Sequence, residues 1–301
     1  QKFRSRRLIL ICTAVLFRNF VIKMDKQGWT EVQRCRWEPR NQHNICEILT
    51  DKESDVKINS IDSYCLDEEN KITIGKTHHK TLLEKYSEPL EKTERIQINP
   101  FINLTKLKSK FKLKIRPLDE GLDHIQDYLI KKSEVSKTTD LKKLLHGAQI
   151  VCSRRTLKLL GLSAYFPEDW EFAIEKYHGI YFLRELGKAS NKENICDNEY
   201  FGYIFEELIF ARPGECPPES GVISTYEKMY VATCTELLPV NTGNKKIKIF
   251  SAASIDGLDR DGKYVEAKTS WLTDRNPKMK LEWYLQCTFA STKVIIHGIK
   301  E

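Results

Sequence analysis

Nine cysteines occur in this 301-residue chain, yet no two stand at C-x-x-C spacing, which removes the commonest signature of a structural zinc site. Their odd number and scattered placement also lack the pattern of a disulfide framework, and reduced thiols in a nuclear or cytoplasmic protein are the expectation. No internal repeat is present, so solenoids and propellers are set aside. The apolar run over residues 8–17 is too short to cross a bilayer as a helix, which takes about 20 residues, and no membrane association is expected. Acids are absent from residues 1–23, where Lys2, Arg4, Arg6, Arg7, Arg18 and Lys23 carry all but one of the formal +7 net charge. The remainder is near neutral, so an anionic partner needs a local groove. A basic cluster before an apolar run has the outline of a cleaved signal. With the first methionine at Met24, the favoured reading takes 1–23 as an upstream extension and 24–301 as the folded domain.

What remains, with 41% hydrophobic and 30% charged residues, reads as globular. The spacing of Leu118, Leu122, Ile125 and Leu129 predicts a helix over 118–130, with Asp119 and Glu120 in its first turn. A polar link follows over 131–143, then a basic helical or turn segment over 154–160. Strands are predicted over 45–49 and 56–61, with a hairpin joining 64–65 to 71–74. Further strands fall at 170–174, 180–186, 229–234, 246–255, 263–269 and 293–296. Helices are expected over 199–210 and 281–290. The fold class is therefore α/β of mixed α+β kind, with mixed sheets flanked by helices.

The most informative segment is Lys263-Tyr264-Val265-Glu266-Ala267-Lys268-Thr269-Ser270, which opens from an Asp261-Gly262 turn. Alternation on a strand puts Glu266 and Lys268 on one face, and Asp256 precedes them on the neighbouring strand. Two carboxylates and an ammonium on one face suit a divalent-metal nuclease. Carboxylates hold a hard cation, and the lysine orients water and offsets charge on the phosphorane. Alone, D…ExK is a weak signal. Glu206 on an upstream helix and Gln286 on the following one fall in an order that a single site explains.

The wording around these residues resembles the DXO (Dom-three-Z) family of eukaryotic RNA decapping nucleases. The resemblance is carried by Gly202-Tyr203-Ile204-Phe205-Glu206, Ala211-Arg212-Pro213-Gly214, Pro217-Pro218-Glu219-Ser220-Gly221, Val231-Ala232-Thr233-Cys234, Tyr264-Val265-Glu266-Ala267-Lys268-Thr269-Ser270 and Trp283-Tyr284-Leu285-Gln286. It implies a D…ExK-nuclease-like core in which Glu206, Asp256, Glu266 and the backbone carbonyl of Ala267 hold one or two Mg²⁺ or Mn²⁺ ions. Asp256, Glu266, Lys268 and Gln286 take the catalytic roles, Lys268 and Gln286 positioning water and the scissile phosphate. Substrate-bordering positions are Lys268, Gln286, Cys234 and Ser254, with Arg154 or Arg155 facing a 5′ phosphate or cap. By spacing, the family's arginine before Lys158-Leu159-Leu160 aligns with Ser153.

Two departures stand out. The E-apolar-D motif reads Ser254-Ile255-Asp256, so a hydroxyl replaces one carboxylate. Family members also continue for several strands past the position of Gln286, so the chain reads as truncated at its C-terminus. The implied function is metal-dependent hydrolysis of incomplete, atypical or NAD-like caps at an RNA 5′ end, with accompanying 5′→3′ exoribonuclease activity. A monomer, nuclear with a cytoplasmic share and serving a 5′→3′ exoribonuclease partner, is the expected setting. The alternative is a catalytically weakened 5′-end-binding or scaffold protein, and a third reading is a D…ExK nuclease acting on DNA.

Overall fold

Alternating apolar and polar residues from Val56 onward build the longest strand, Val56–Leu66, against which Lys228–Leu237 pairs antiparallel. The pairing shifts register between Ala232 and Thr233, where Asp62 and Ser60 are the partners and Ile61 is the extra residue. Such a bulge lets one strand bend without ending, so the separate strands expected over 56–61 and 64–65 are a single element. Ile72–Ile74 returns from it as the expected hairpin.

The structure, a computed structural model, describes residues 7–10, 20–23, 56–76, 79–87, 104–115, 121–163, 165–166, 171–186, 196–237, 246–271 and 276–300. The strand expected over 45–49, the start of the 118–130 helix with Asp119 and Glu120, and Trp170 lie outside these residues. Near the N-terminus Arg7–Leu10 pairs antiparallel with Phe20–Lys23.

Seven strands form the larger sheet, in the spatial order Ile72–Ile74, Val56–Leu66, Lys228–Leu237, Ile247–Ile255, Ile150–Ser153, Ile180–Glu185, Phe172–Tyr177. Ile150–Ser153 runs parallel to both its neighbours and the other pairs are antiparallel. A five-stranded sheet has the order Phe210–Ala211, Thr81–Leu82, Gly257–Leu258, Tyr264–Trp271, Val294–Lys300. This mixed α/β arrangement is the fold class expected.

One face of the larger sheet is covered by a buried aromatic stack of Tyr64, His124, Tyr128 and Tyr230. Tyr64 Oη and His124 Nδ1 lie 2.7 Å apart within the stack, and Tyr128 Oη donates to Asp62 Oδ2 at 3.3 Å, as burial of polar groups requires. His124 and Tyr128 come from the helix Asp123–Ser136, which runs well into the segment expected as a polar link. Its last turns are polar because they face solvent: Lys131 pairs with Glu134 at 2.9 Å, and Lys132 pairs with Asp62. The helix ends at Lys137, held in the left-handed region with φ 51°. Within the same supposed link, Leu141–Leu144 forms a short helix capped by Asp140.

Helix Arg154–Leu162 follows directly on strand Ile150–Ser153, and Ser153 caps it by accepting the Thr156 N–H at 3.2 Å. It packs on helix Pro277–Phe289, whose cap Asn276 accepts the Lys278 N–H at 3.0 Å. Gly161 makes this approach possible, since a Cβ there would lie 3.0 Å from the Leu285 side chain. Leu157, Leu160, Leu281, Leu285 and Phe289 form the resulting core with Ile249 of the sheet.

Candidate active site

Asp256 is the one residue between strand Ile247–Ile255 of the larger sheet and Gly257–Leu258 of the smaller. The chain changes sheets at this point. Gly257 has no Cβ because Phe210 occupies that space: a Cβ would sit 2.4 Å from its ring. The turn at Gly262 (φ +75°) then brings Tyr264–Trp271 back antiparallel to Gly257–Leu258. The N–H of Ala267 donates to Asp256 Oδ2 at 2.8 Å, fixing the carboxylate against the strand that carries Glu266 and Lys268.

Glu266 is 1% exposed, and both its oxygens are engaged. Lys268 Nζ donates to Oε1 at 2.5 Å, and Arg154 Nη1 donates to Oε2 at 3.4 Å. The second guanidinium nitrogen of Arg154 donates to Ser254 Oγ at 3.2 Å. The first arginine of helix Arg154–Leu162 thus spans from the position of the missing carboxylate to Glu266. Glu206 comes from helix Asp197–Ile209, which packs on strand Tyr264–Trp271 through Phe205 and Ile209.

Electrostatics tie these groups into one cluster. Burial, then the charges of Asp256 and Glu266, raises the Glu206 carboxyl well above its usual pKa. Burial, then the charge of Glu266, lifts Asp256 to about 6. Burial acts on Glu266 in the same sense, but Arg154 and Lys268 outweigh it and hold its pKa below the ordinary carboxylate value. Lys268 also overcomes its burial, its ammonium being stabilised by Asp256 and Glu266. Two of the three carboxyls therefore hold their protons to higher pH than ordinary carboxylic acids do, which is what crowded, desolvated negative charge produces.

Other expected residues are placed as follows. Gln286 has its side-chain oxygen buried without a hydrogen-bond partner among the described residues. Arg155 turns away to Glu185, at 2.5 Å. Cys234 is buried in its strand, with Glu236 and Lys248 as its charged neighbours. Sequence reasoning missed Cys287, whose thiol is lifted to about 11 by burial and then by the Glu266 charge, with Lys268, Arg154 and Asp256 also in range. It also missed Lys80, paired with Glu207 and close enough to act on Glu206. The only sequence signal for Cys287 was its place directly after Gln286, and Lys80 had none.

In donor type the cluster suits a hard divalent ion: Glu206, Asp256 and Glu266 offer carboxylates, and two of them sit where added positive charge would relieve them. As arranged, Glu266 is turned to Arg154 and Lys268. Among the described residues no three Asp, Glu, His or Cys side chains are grouped as the ligands of one ion.

A mixed sheet bearing an acid-x-lysine strand, with a second carboxylate at the strand before it, is the arrangement of a PD-(D/E)XK-type nuclease fold. A family model described as RAI1 like PD-(D/E)XK nuclease matches residues 58–301, and the chain belongs to that family. The decapping nuclease dom-3 of Caenorhabditis elegans is 28% identical over 176 residues, which cover 53% of this chain and 45% of that protein. The matched stretch thus spans less than half the relative's length. Among solved structures, K. lactis Dxo1 in complex with manganese superposes with a TM-score of 0.53 at 12% identity, over 81% of this chain and 64% of that one. S. pombe Rai1 in complex with 3′-FADP gives a TM-score of 0.53 at 13% identity, over 90% of this chain and 76% of that one. At such identities these two neighbours establish the shared fold.

Proposed function

We propose that this protein hydrolyses the 5′ end of RNA, removing incomplete, atypical or NAD-like caps and continuing as a 5′→3′ exoribonuclease. The observation that carries the reading is the convergence of half-buried Glu206, Asp256 and Lys268 with buried Glu266 on a single electrostatically linked site. The fold shared with a Dxo1 solved with manganese supports a divalent metal. One or two Mg²⁺ or Mn²⁺ ions held by the three carboxylates and the Ala267 carbonyl would supply Lewis-acid charge at the phosphate.

The chain's own groups divide the remaining work. Glu266 fixes Lys268, whose ammonium stays charged and can offset negative charge developing on the phosphorane. Asp256 Oδ2 is committed to the Ala267 N–H, which leaves Oδ1 free to face a metal ion. The unpaired Gln286 oxygen is available to a substrate or water donor. The proposed setting is a nuclear monomer that hands RNA to a 5′→3′ exoribonuclease.

The test incubates the full chain with Mg²⁺ or Mn²⁺ and 3′-labelled RNAs bearing a 5′-monophosphate or an NAD cap, with E266Q in parallel. Metal-dependent cleavage that disappears in E266Q is the expected result, and cleavage retained by E266Q would overturn the assignment. A second reading, 5′-end binding without chemistry, is favoured by Arg154 bridging Ser254 and Glu266 where a metal ligand set would otherwise form. Equal RNA binding by both proteins with no cleavage by either would select it.

A further inference from the structure

We propose that Lys158 is a phosphate-binding residue of this site, placed one helical turn beyond Arg154 to hold the 5′-terminal phosphate next to the scissile one. The inference rests on the reading of the site as an RNA 5′-end site.

Helix Arg154–Leu162 carries Arg154 and Lys158 four residues apart, so both lie on one face with about 6 Å of rise between them. That is roughly one nucleotide step along an extended strand. The neighbouring cations are all committed: Arg154 to Glu266 and Ser254, Lys268 to Glu266, and Arg155 to Glu185. Lys158 differs. It is half-buried, and its ammonium makes no ion pair or hydrogen bond with any described residue.

Its surroundings are those of an anion seat. Burial lowers the Lys158 pKa, and Arg155, Arg154 and Lys268 lower it further, while Glu282 alone acts in the other direction. Glu282 belongs to the facing helix Pro277–Phe289, one turn before Gln286 and on the same face. A partly desolvated ammonium among three other cations is a costly arrangement in the free protein. A phosphate dianion relieves it, and three rotatable N–H donors suit a tetrahedral group of variable pose. Glu282, which forms no ion pair with Lys158, is the opposing charge that a bound phosphate would have to overcome. A merely structural lysine, bracing one helix against the other through Glu282, would not distinguish the 5′ group of a bound RNA.

The full chain in EDTA, which stops turnover, is titrated into 3′-labelled RNA pentamers carrying a 5′-monophosphate or a 5′-hydroxyl, and binding is read by anisotropy. Wild type is expected to prefer the monophosphate. K158Q should lose about tenfold in affinity for it, the loss of one charged contact, with affinity for the hydroxyl RNA within about twofold of wild type. K158R should keep most of the preference, and E282Q should strengthen it. Inorganic phosphate should compete against the monophosphate RNA in wild type and much less in K158Q. Equal losses on both RNAs, or a preference undiminished in K158Q, would overturn the role of Lys158 while leaving the RNA-end reading in place. Wild type that binds neither RNA would overturn both.

Discussion

Asp256 is held in a place where its charge is unwelcome, and the consequence can be measured as stability. Its carboxyl titrates at about 6 in the folded protein against an ordinary value of 3.8. A difference of about 2 pH units corresponds to about 3 kcal/mol. Because the folded pKa is raised, the folded protein keeps this proton longer than the unfolded chain does. The stability associated with the neutral form is present below 3.8 and is lost as pH rises through about 6. Asp256→Asn imitates the neutral form and can still accept the Ala267 N–H. At pH 8 in EDTA, D256N should therefore be more stable than wild type by about 2 kcal/mol, somewhat less than the full linkage value because the amide presents two donors. Urea unfolding at pH 4, 5, 6 and 8 measures it. The difference should be near zero at pH 4, grow across the window and level off above it. Saturating Mn²⁺ should reverse the order, since an ion that binds only the folded protein at 100 times its Kd adds about 2.7 kcal/mol to wild type. A variant no more stable than wild type at pH 8, or a difference unchanged from pH 4 to pH 8, would refute the argument that burial and charge strain this carboxylate.

Three further outcomes follow from the same cluster. In EDTA at pH 8, E266Q should be about 3 kcal/mol less stable than wild type, because Arg154 and Lys268 lose a buried partner. Since the Glu266 pKa is lowered, this gap should close as pH falls below 4.5 and through the folded value, as urea melts at several pH values will show. Ser254→Glu restores a carboxylate beside Arg154 and should raise Mn²⁺ affinity by at least about tenfold in calorimetric titration; unchanged affinity would mean that Ser254 does not limit metal binding. Gly257→Ala drives a methyl into the Phe210 ring and should cost about 2–3 kcal/mol in urea unfolding, with parallel loss of activity from displacement of Asp256.

How much of this was legible beforehand depended on the period of the element. Glu266 and Lys268 share a face because a strand alternates, and the Asp261-Gly262 turn marks where that strand begins. Glu206 was readable only through its motif, since Glu207 beside it is an equally good acid on the same helix, and the structure turns Glu207 to Lys80 instead. The helix through Ser136 was hidden because its final turns face water and carry no apolar stripe. Arg154 and Arg155 are adjacent and chemically identical, and they part company because successive helix residues point about 100° apart, one to Glu266 and the other to Glu185. Nothing local to the sequence sets which of them faces inward; that is decided by the packing of helix Arg154–Leu162 on Pro277–Phe289.

The position of Asp256 has a mechanical side as well. A single residue joins a strand of the seven-stranded sheet to a strand of the five-stranded one. Its carboxylate is bonded to the second sheet through Ala267, while Arg154 grips Ser254 in the first and Glu266 in the second. The site is therefore a rivet through two plates. Any slip or tilt of one plate against the other must stretch these bonds before it is felt elsewhere. A ligand that seats across the rivet will stiffen the whole molecule against shear, and a lesion far out on either plate can loosen the chemistry without touching it.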